Sequence, residues 1–312
     1  MRITVIIPTH NPDLGRLKAT LCGLQAQTLE KEQWELIIVD NGSSPALSEE
    51  FCQAHFTRQY RIICEPELGL SNARLRGIKE SQTELLVFSD DDNVLAPDYL
   101  KLTLTQFELH AQIGIAGGKS IPAYEEALPG WFVEGMAPLG CRDLGDEDIV
   151  FDADCYKKEP SYPECAPIGA GMAFRKQAVK TWMENVGETG ISDRKGDSLS
   201  SAGDCDMVLY ALDAGWSAAY WPELSLQHLI PPQRVTRKYL GRISRCAYSD
   251  FIQVLSLHRI EPWSSIPAWS VPLRTIKAWF QTRAWKGPQE HVRWQCATGN
   301  FEGRSKLHKK LP

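Results

Sequence analysis

The chain contains no cysteine pair spaced C-x-x-C, no internal repeat, no low-complexity tract and no apolar run approaching the ~18 residues that cross a bilayer. Each absence removes a class. Nine cysteines scattered singly through 312 residues make neither a zinc frame nor a disulfide scaffold. Free thiols in a reducing compartment are expected, with all nine serving as packing residues. Met1 leads straight into a strand-like run and not into a secretory leader. The expectation is therefore a cytoplasmic protein, at most peripheral on the inner face of the cell membrane. The apolar fraction of 43% and charged fraction of 23% are those of an ordinary globular chain, long enough for one large domain or two modest ones.

The net charge of −5 conceals an asymmetry. Residues 231–312 carry 15 Lys and Arg against four Asp and Glu, so the acidic excess lies wholly in residues 1–230. The same basic segment holds five of the ten tryptophans: Trp263, Trp269, Trp279, Trp285 and Trp294. Residues 270–286 interleave Arg274, Lys277, Trp279, Phe280, Arg283, Trp285 and Lys286, the pattern of a basic helix at a membrane interface. An anionic membrane surface is the expected partner, each cation near such lipid contributing ~1 kcal/mol. No nucleic-acid-binding motif accompanies the charge, so nucleic acid is not expected.

The first 120 residues alternate strand-like and helix-like patterns. Strands are read at residues 3–7, 36–39, 60–64, 84–88 and 113–116, and helices at 14–27, 47–56, 70–81 and 97–109, the last with Pro97 in its first turn. This alternation implies βαβ units and a Rossmann-like, mostly parallel sheet flanked by helices. Residues 118–167 read as irregular, with an exposed-looking Trp131. Gly169, Ala170 and Gly171 are small enough to admit a close backbone approach. A helix is read over residues 204–214 and a strand over 218–221, with His228 shortly after. Beyond Tyr239 the pattern is helical, interrupted at Pro262, Pro267 and Pro272.

Ligands of open α/β sheets bind at the carboxyl ends of the strands. Four successive strand ends here are polar: Thr9, His10 and Asn11; Asp40 and Asn41; Glu65; and Asp90, Asp91 and Asp92. A triple aspartate closing a buried strand is self-repelling and resists desolvation. A divalent cation carrying a diphosphate relieves it, because hard cations prefer carboxylate and phosphate oxygens. Taken alone, such a run is equally well a solvated acidic turn.

These segments resemble a family 2 glycosyltransferase of the GT-A fold. IIPTHN resembles the family's first strand and turn, VDNGSS its VDDGS segment, LSNARLRGI its A-R-N-x-G segment, and VFSDDDNVLAPDYL its DxD strand. PIGAGMAFRK and SAGDCDMVLYALDAGW resemble the acceptor-side region and the catalytic-base helix, and YWPELSLQHLIPPQR the closing strand with its His. The likeness spans residues 1–242. It implies a catalytic domain over residues 1–230, with a nucleotide-sugar-binding half (1–118) and an acceptor-side half (119–230), followed by a basic, Trp-rich helical extension (231–312).

The resemblance also implies a nucleotide-sugar donor, Mg²⁺ or Mn²⁺, a glycan or lipid-linked acceptor, and single-displacement inversion at the anomeric carbon. By position, Thr9, Asn11, Asp40, Arg74, Asp90 and Asp91 would bind the donor. Asp92, Asp90 and His228 would hold the metal, and Asp204 would be the general base. Trp131, Gly169, Ala170, Gly171 and Asp206 would line the acceptor side. Gly203 stands where many members have Glu, and Leu75 where they have Asn. A sugar nucleotidyltransferase or a non-catalytic homologue are the alternatives. The first lacks support in PTHNPDLGR, which has no Gly-rich basic loop.

Overall fold

The β-branched N-terminal run becomes β1 (Ile3–Thr9), central among β2 (Trp34–Asp40), β3 (Tyr60–Cys64) and β4 (Leu85–Phe88) in the parallel order β3-β2-β1-β4. This computed structural model describes residues 1–186, 199 and 202–307. Its residues group into two units, each discontinuous in sequence. The first comprises Met1–Ala123, Gly140–Val186 and Met207–Leu229, and the second Tyr124–Leu139, Gly187–Asp206 and Ile230–Pro312.

Within the first unit every residue of β1, β2 and β4 is buried, as a sheet covered on both faces requires. The connections are α1 (Leu14–Gln25), α2 (Glu49–His55) and α3 (Leu70–Glu80). Asp13 caps α1 by accepting from the Arg16 N–H, and Ser48 caps α2 by accepting from Phe51. Leu17, Leu21 and Leu24 join Ile3, Val5 and Ile7 in the core. Helix α3 crosses β1 so closely that a Cβ on Gly77 would lie 2.4 Å from Ile6 Cγ2. Strand β1 runs through Pro8, two residues past its expected end. Its pairing with β4 stops at Ile6, so the missing Pro8 N–H falls where there is no ladder partner to supply.

The chain continues through β5 (Asn93–Leu95), α4 (Tyr99–Leu109), β6 (Ile113–Gly117) and β7 (Ser120–Tyr124). Next come β8 (Ile149–Phe151), α5 (Ala153–Lys158), β9 (Ala173–Arg175) and α6 (Lys180–Asn185). Then follow α7 (Gly203–Asp213), β10 (Ser217–Tyr220) and β11 (Leu226–Ile230). The large sheet has eight strands, ordered β3-β2-β1-β4-β9-β6-β10-β8, and is mostly parallel as expected. The exceptions are β9, antiparallel to both β4 and β6, and β8, antiparallel to β10. A small sheet, β5-β11-β7, follows directly from the triple aspartate and pairs His228 with Asn93.

Three expectations need correction. Pro97 precedes α4, whose N-cap is Asp98, because its ring does not allow the preceding residue a helical turn. The segment read as irregular contains β7, β8 and α5, elements too short for periodicity to reveal. Cys52 and Cys165 are buried, but Cys22, Cys64 and Cys155 are exposed and so are not packing residues.

The second unit contains α8 (Arg237–Leu257), α9 (Val271–Thr282) and α10 (Pro288–Lys306). Pro272 and Pro288 open their helices, where a missing N–H costs nothing, so Pro272 does not interrupt the pattern as expected. Helices α8 and α10 meet at Gly299, where a Cβ would come within 2.2 Å of the Arg245 carbonyl, and Arg245 donates to Glu302 through its Nε and Nη2. Trp294 donates to the Thr275 carbonyl at 3.0 Å and packs edge-on against Trp279, joining α10 to α9. Among the described residues no helix is long and apolar enough to cross a membrane.

Candidate functional site

The strand ends of the first unit are bound together by a few short polar side chains. Asn41, buried just past β2, donates to the carbonyls of Glu65 (2.9 Å) and Glu67 (2.8 Å) and accepts from the Gly69 N–H at 2.8 Å. Its own N–H donates to Thr9 at the end of β1, and its carbonyl contacts the His10 ring at 2.7 Å. Asp40 folds the following loop: one carboxylate oxygen accepts from Ser43 N–H (2.9 Å), the other from Leu47 N–H (2.8 Å). Burial alone would raise its pKa. The Leu47 amide, the Ser43 hydroxyl and amide, and His10 outweigh that and hold it below the ordinary value. A carboxylate has about four lone-pair sites, so these donors leave capacity for a ligand N–H. Asn11, with a left-handed φ of 49°, accepts from the Ser44 N–H at 2.8 Å and donates its own N–H to the Ser43 hydroxyl.

The three aspartates point to three partners. Asp90 faces Arg74, whose buried guanidinium lies 3.5 Å away and 5.0 Å from the centre of the Phe88 ring. Asp91 accepts the hydroxyl hydrogen bond of Thr9. Asp92 is buried, accepts from the Asn93 amide at 3.1 Å, and has His228 Nε2 3.5 Å away. Asn93 also accepts the Asp90 N–H at 3.1 Å, so one side chain clasps both ends of the acidic turn. His228 has its other ring nitrogen 3.3 Å from the Gly140 carbonyl and 3.9 Å from Cys141 Sγ. Burial would lower its pKa, but Asp92 and Cys141 outweigh this and raise it to about 10. In this arrangement His228 stands directly beside Asp92, the two side chains being brought together by the pairing of β5 with β11.

Gly169 and Gly171 shape this unit from inside. A Cβ at position 169 would fall 2.3 Å from an Arg74 guanidinium nitrogen. At position 171 (φ 72°) it would fall 2.7 Å from the Tyr99 hydroxyl, which donates to the Gly171 carbonyl. Ala170 packs on the core. The glycines thus make room for protein side chains.

The remaining candidates belong to the second unit. Asp204 is half-buried and one residue inside α7, so it is not the N-cap; its carboxylate accepts from the Cys205 N–H at 2.9 Å. Asp206 is buried and paired with His258 Nε2 at 3.0 Å. Trp131 is half-buried and not exposed: its carbonyl accepts from Gln289 at 2.8 Å and its ring lies edge-on to Phe132. Reading the sequence missed Asn93, His258, Cys141 and the knotting role of Asn41. Only Asn41 and Asn93 carried a signal, each an Asn next to a strand-end acid.

Among the described residues no three His, Cys, Asp or Glu side chains converge as a ready-made metal cage. What exists are two hard donors on one acidic turn. Asp90 and Asp92 are too few to fill a coordination sphere, and Asp90 Oδ1 is buried without a hydrogen-bond partner. That set fits Mg²⁺ or Mn²⁺, which are held by one or two carboxylates together with substrate phosphates and water.

Residues 4–127 match the family described as Glycosyl transferase family 2. The succinoglycan biosynthesis protein ExoW of Rhizobium meliloti is 29% identical over 103 residues, 32% of this chain and 32% of that protein. The chain matches about a third or less of the length of its first curated relatives. A mannosyltransferase of Pyrobaculum calidifontis, PcManGT, solved with GDP-Man and Mn²⁺, superposes with a TM-score of 0.54 at 16% identity, covering 94% of this chain and 73% of that one. Residues 1–349 of S. aureus TarS, solved with UDP-GlcNAc, give 0.52 at 13% identity over 99% and 92%. The fold is that of GT-A glycosyltransferases, and residues 4–127 are similar to glycosyl transferase family 2.

Proposed function

We propose that this chain is an inverting glycosyltransferase. It moves a sugar from a nucleoside-diphosphate sugar, UDP- or dTDP-linked by preference, to a hydroxyl of a glycan or lipid-linked acceptor in cell-surface polysaccharide or glycoconjugate synthesis. The observation that carries the reading is the gathering of Thr9, Asp40 and Asp90 to Asp92 at the carboxyl ends of the parallel strands β1, β2 and β4, with Arg74 reaching Asp90 from α3. The family match over residues 4–127 and the nucleotide sugars bound by the two structural neighbours support it.

In this reading residues 1–118 bind the donor, 119–230 serve the acceptor side, and 231–312 form an extension that places a cytoplasmic enzyme against an anionic membrane. Thr9, Asn11 and the Asp40 loop receive the nucleoside, the Asp40 carboxylate accepting the N3–H of a uracil or thymine. Arg74, held by Phe88 and Asp90, adds positive charge beside the diphosphate. Asp92 and Asp90 hold Mg²⁺ or Mn²⁺, which when bound stabilises the departing diphosphate as a Lewis acid. His228 keeps Asp92 in position, and Asp91 does the same for Thr9. Asp204 accepts the proton of the attacking acceptor hydroxyl, a task for a carboxylate within hydrogen-bond reach. Trp131, Gly169 to Gly171 and Asp206 complete the acceptor side, Asp206 indirectly through its His258 pair.

Two measurements test the reading. A panel of UDP-, dTDP- and GDP-sugars with Mn²⁺ should raise the melting temperature for at least one nucleotide, because a ligand bound only by the folded state stabilises it. Metal-dependent donor hydrolysis should release nucleoside diphosphate. No thermal shift with any donor, or release of pyrophosphate, would overturn it, the latter in favour of nucleotidyl transfer.

A further inference from the structure

Helix α9 wears its amphipathic pattern inside out. Trp279 is the one large side chain that it packs into the second unit, against Trp294; beside it Ala278 is buried, Thr282 donates to the Ala278 carbonyl at 2.8 Å, and the Thr275 carbonyl receives Trp294. The opposite side presents Leu273, Ile276 and Phe280, spaced i, i+3 and i+7 and exposed by 63%, 57% and 62%. Trp269 just before the helix is 74% exposed and Trp285 just after it 52%. Helices in water normally turn such a stripe to the core. Contiguous exposed apolar surface of this size marks an interaction site.

Charge identifies what covers it. Residues 262–289 contain no Asp or Glu, while Arg274, Lys277, Arg283 and Lys286 stand beside the stripe. All four are exposed, and among the described residues none of them forms an ion pair. A partner protein or a second copy of this chain would meet these cations with carboxylates, yet residues 262–289 themselves hold no acid to serve a self-complementary contact. An anionic lipid surface supplies both requirements, acyl chain for the stripe and headgroup charge for its flank. We infer that α9 lies flat in the interface of an anionic bilayer, Leu273, Ile276 and Phe280 downward, with Trp269 and Trp285 anchoring its two ends. The purpose of this contact, access to a lipid-linked acceptor, rests on the transferase reading; the contact itself does not.

The test uses the full chain and vesicles of equal parts phosphatidylglycerol and phosphatidylcholine, with phosphatidylcholine alone for comparison. The protein should float with the anionic vesicles only. Ile276→Ser with Phe280→Ser should cut binding about tenfold or more. Lys277→Glu with Lys286→Glu should cut it roughly fivefold for each charge removed. All four positions are exposed, and circular dichroism of the variants verifies their fold. Brominated acyl chains should quench both Trp269 and Trp285, seen as the quenching lost in Trp269→Phe and in Trp285→Phe; quenching of one alone would overturn the flat orientation. No flotation of the unmodified chain, equal flotation on phosphatidylcholine, or a dimer in solution abolished by the serine variants would overturn the proposal. Nucleotide-sugar thermal shifts on the same preparations separate the two readings. Vesicle binding without any donor shift would sink the transferase and leave α9 standing.

Discussion

The two units break the rule of apolar inside and polar outside in opposite directions. In the first, Asp40, Asn41, Arg74, Asp92, Asn93 and His228 are buried, and each is bound to a partner. In the second, Leu273, Ile276 and Phe280 of α9 are more than half exposed. Buried polar groups cost stability unless paired, and exposed apolar groups cost it unless covered. A site that has satisfied its own groups is arranged in advance for a small polar ligand. A face left unsatisfied awaits something large and apolar.

The sharpest way to break the comparison is to remove a buried partner. His258→Ala leaves Asp206 buried and unpaired, and should cost about 3–5 kcal/mol in chemical denaturation. An effect under 1 kcal/mol would mean that the second unit's interior tolerates unpaired charge. Asp92→Ala should lower nucleoside-diphosphate release by roughly 10²–10³-fold, the usual loss on deleting a group that stabilises developing charge. Release at the unmodified rate would remove Asp92 from the site. Gly169→Ala drives a Cβ into Arg74 and should cost about 1–3 kcal/mol by overpacking. It should also weaken donor binding in calorimetry, and Arg74→Lys with Gly169→Ala should recover part of the lost stability.

The smallest effect concerns pH. The Asp40 carboxyl is held below its ordinary value, so its contribution is present above the unfolded-state pKa and is lost as pH falls through the folded one. Asp40→Asn should cost about 1–2 kcal/mol near neutrality. The gap in melting temperature between the two proteins should close as the solution is acidified past that lowered value. A gap independent of pH would assign the effect to loop geometry alone.

Much of the first unit was legible because β1 to β4 are hydrophobic runs with polar ends, and both signals are local. Thr9, Asp40 and Asp90 to Asp92 could be placed at one edge without knowing which strands touch. Strand β9 was not legible: three residues carry no period, and its antiparallel insertion between β4 and β6 depends on chain far away. The same is true of His228, which reaches Asp92 only through the pairing of β11 with β5. For α9 the stripe itself could be read, but not its direction. Periodicity locates an apolar face, and only the packing of Thr275, Ala278 and Thr282 shows that it points outward.

Asn41 has a consequence of its own. One asparagine, through its backbone N–H and its carboxamide, connects the ends of β1 and β2, the backbone after β3 and the first residue before α3, so four segments cannot open independently. A ligand entering there finds a wall whose ordering entropy was settled when the chain folded, and binding need not supply it again. The Gly69 amide, far from any strand ladder, should accordingly exchange its hydrogen on the timescale of the sheet and not of a loop.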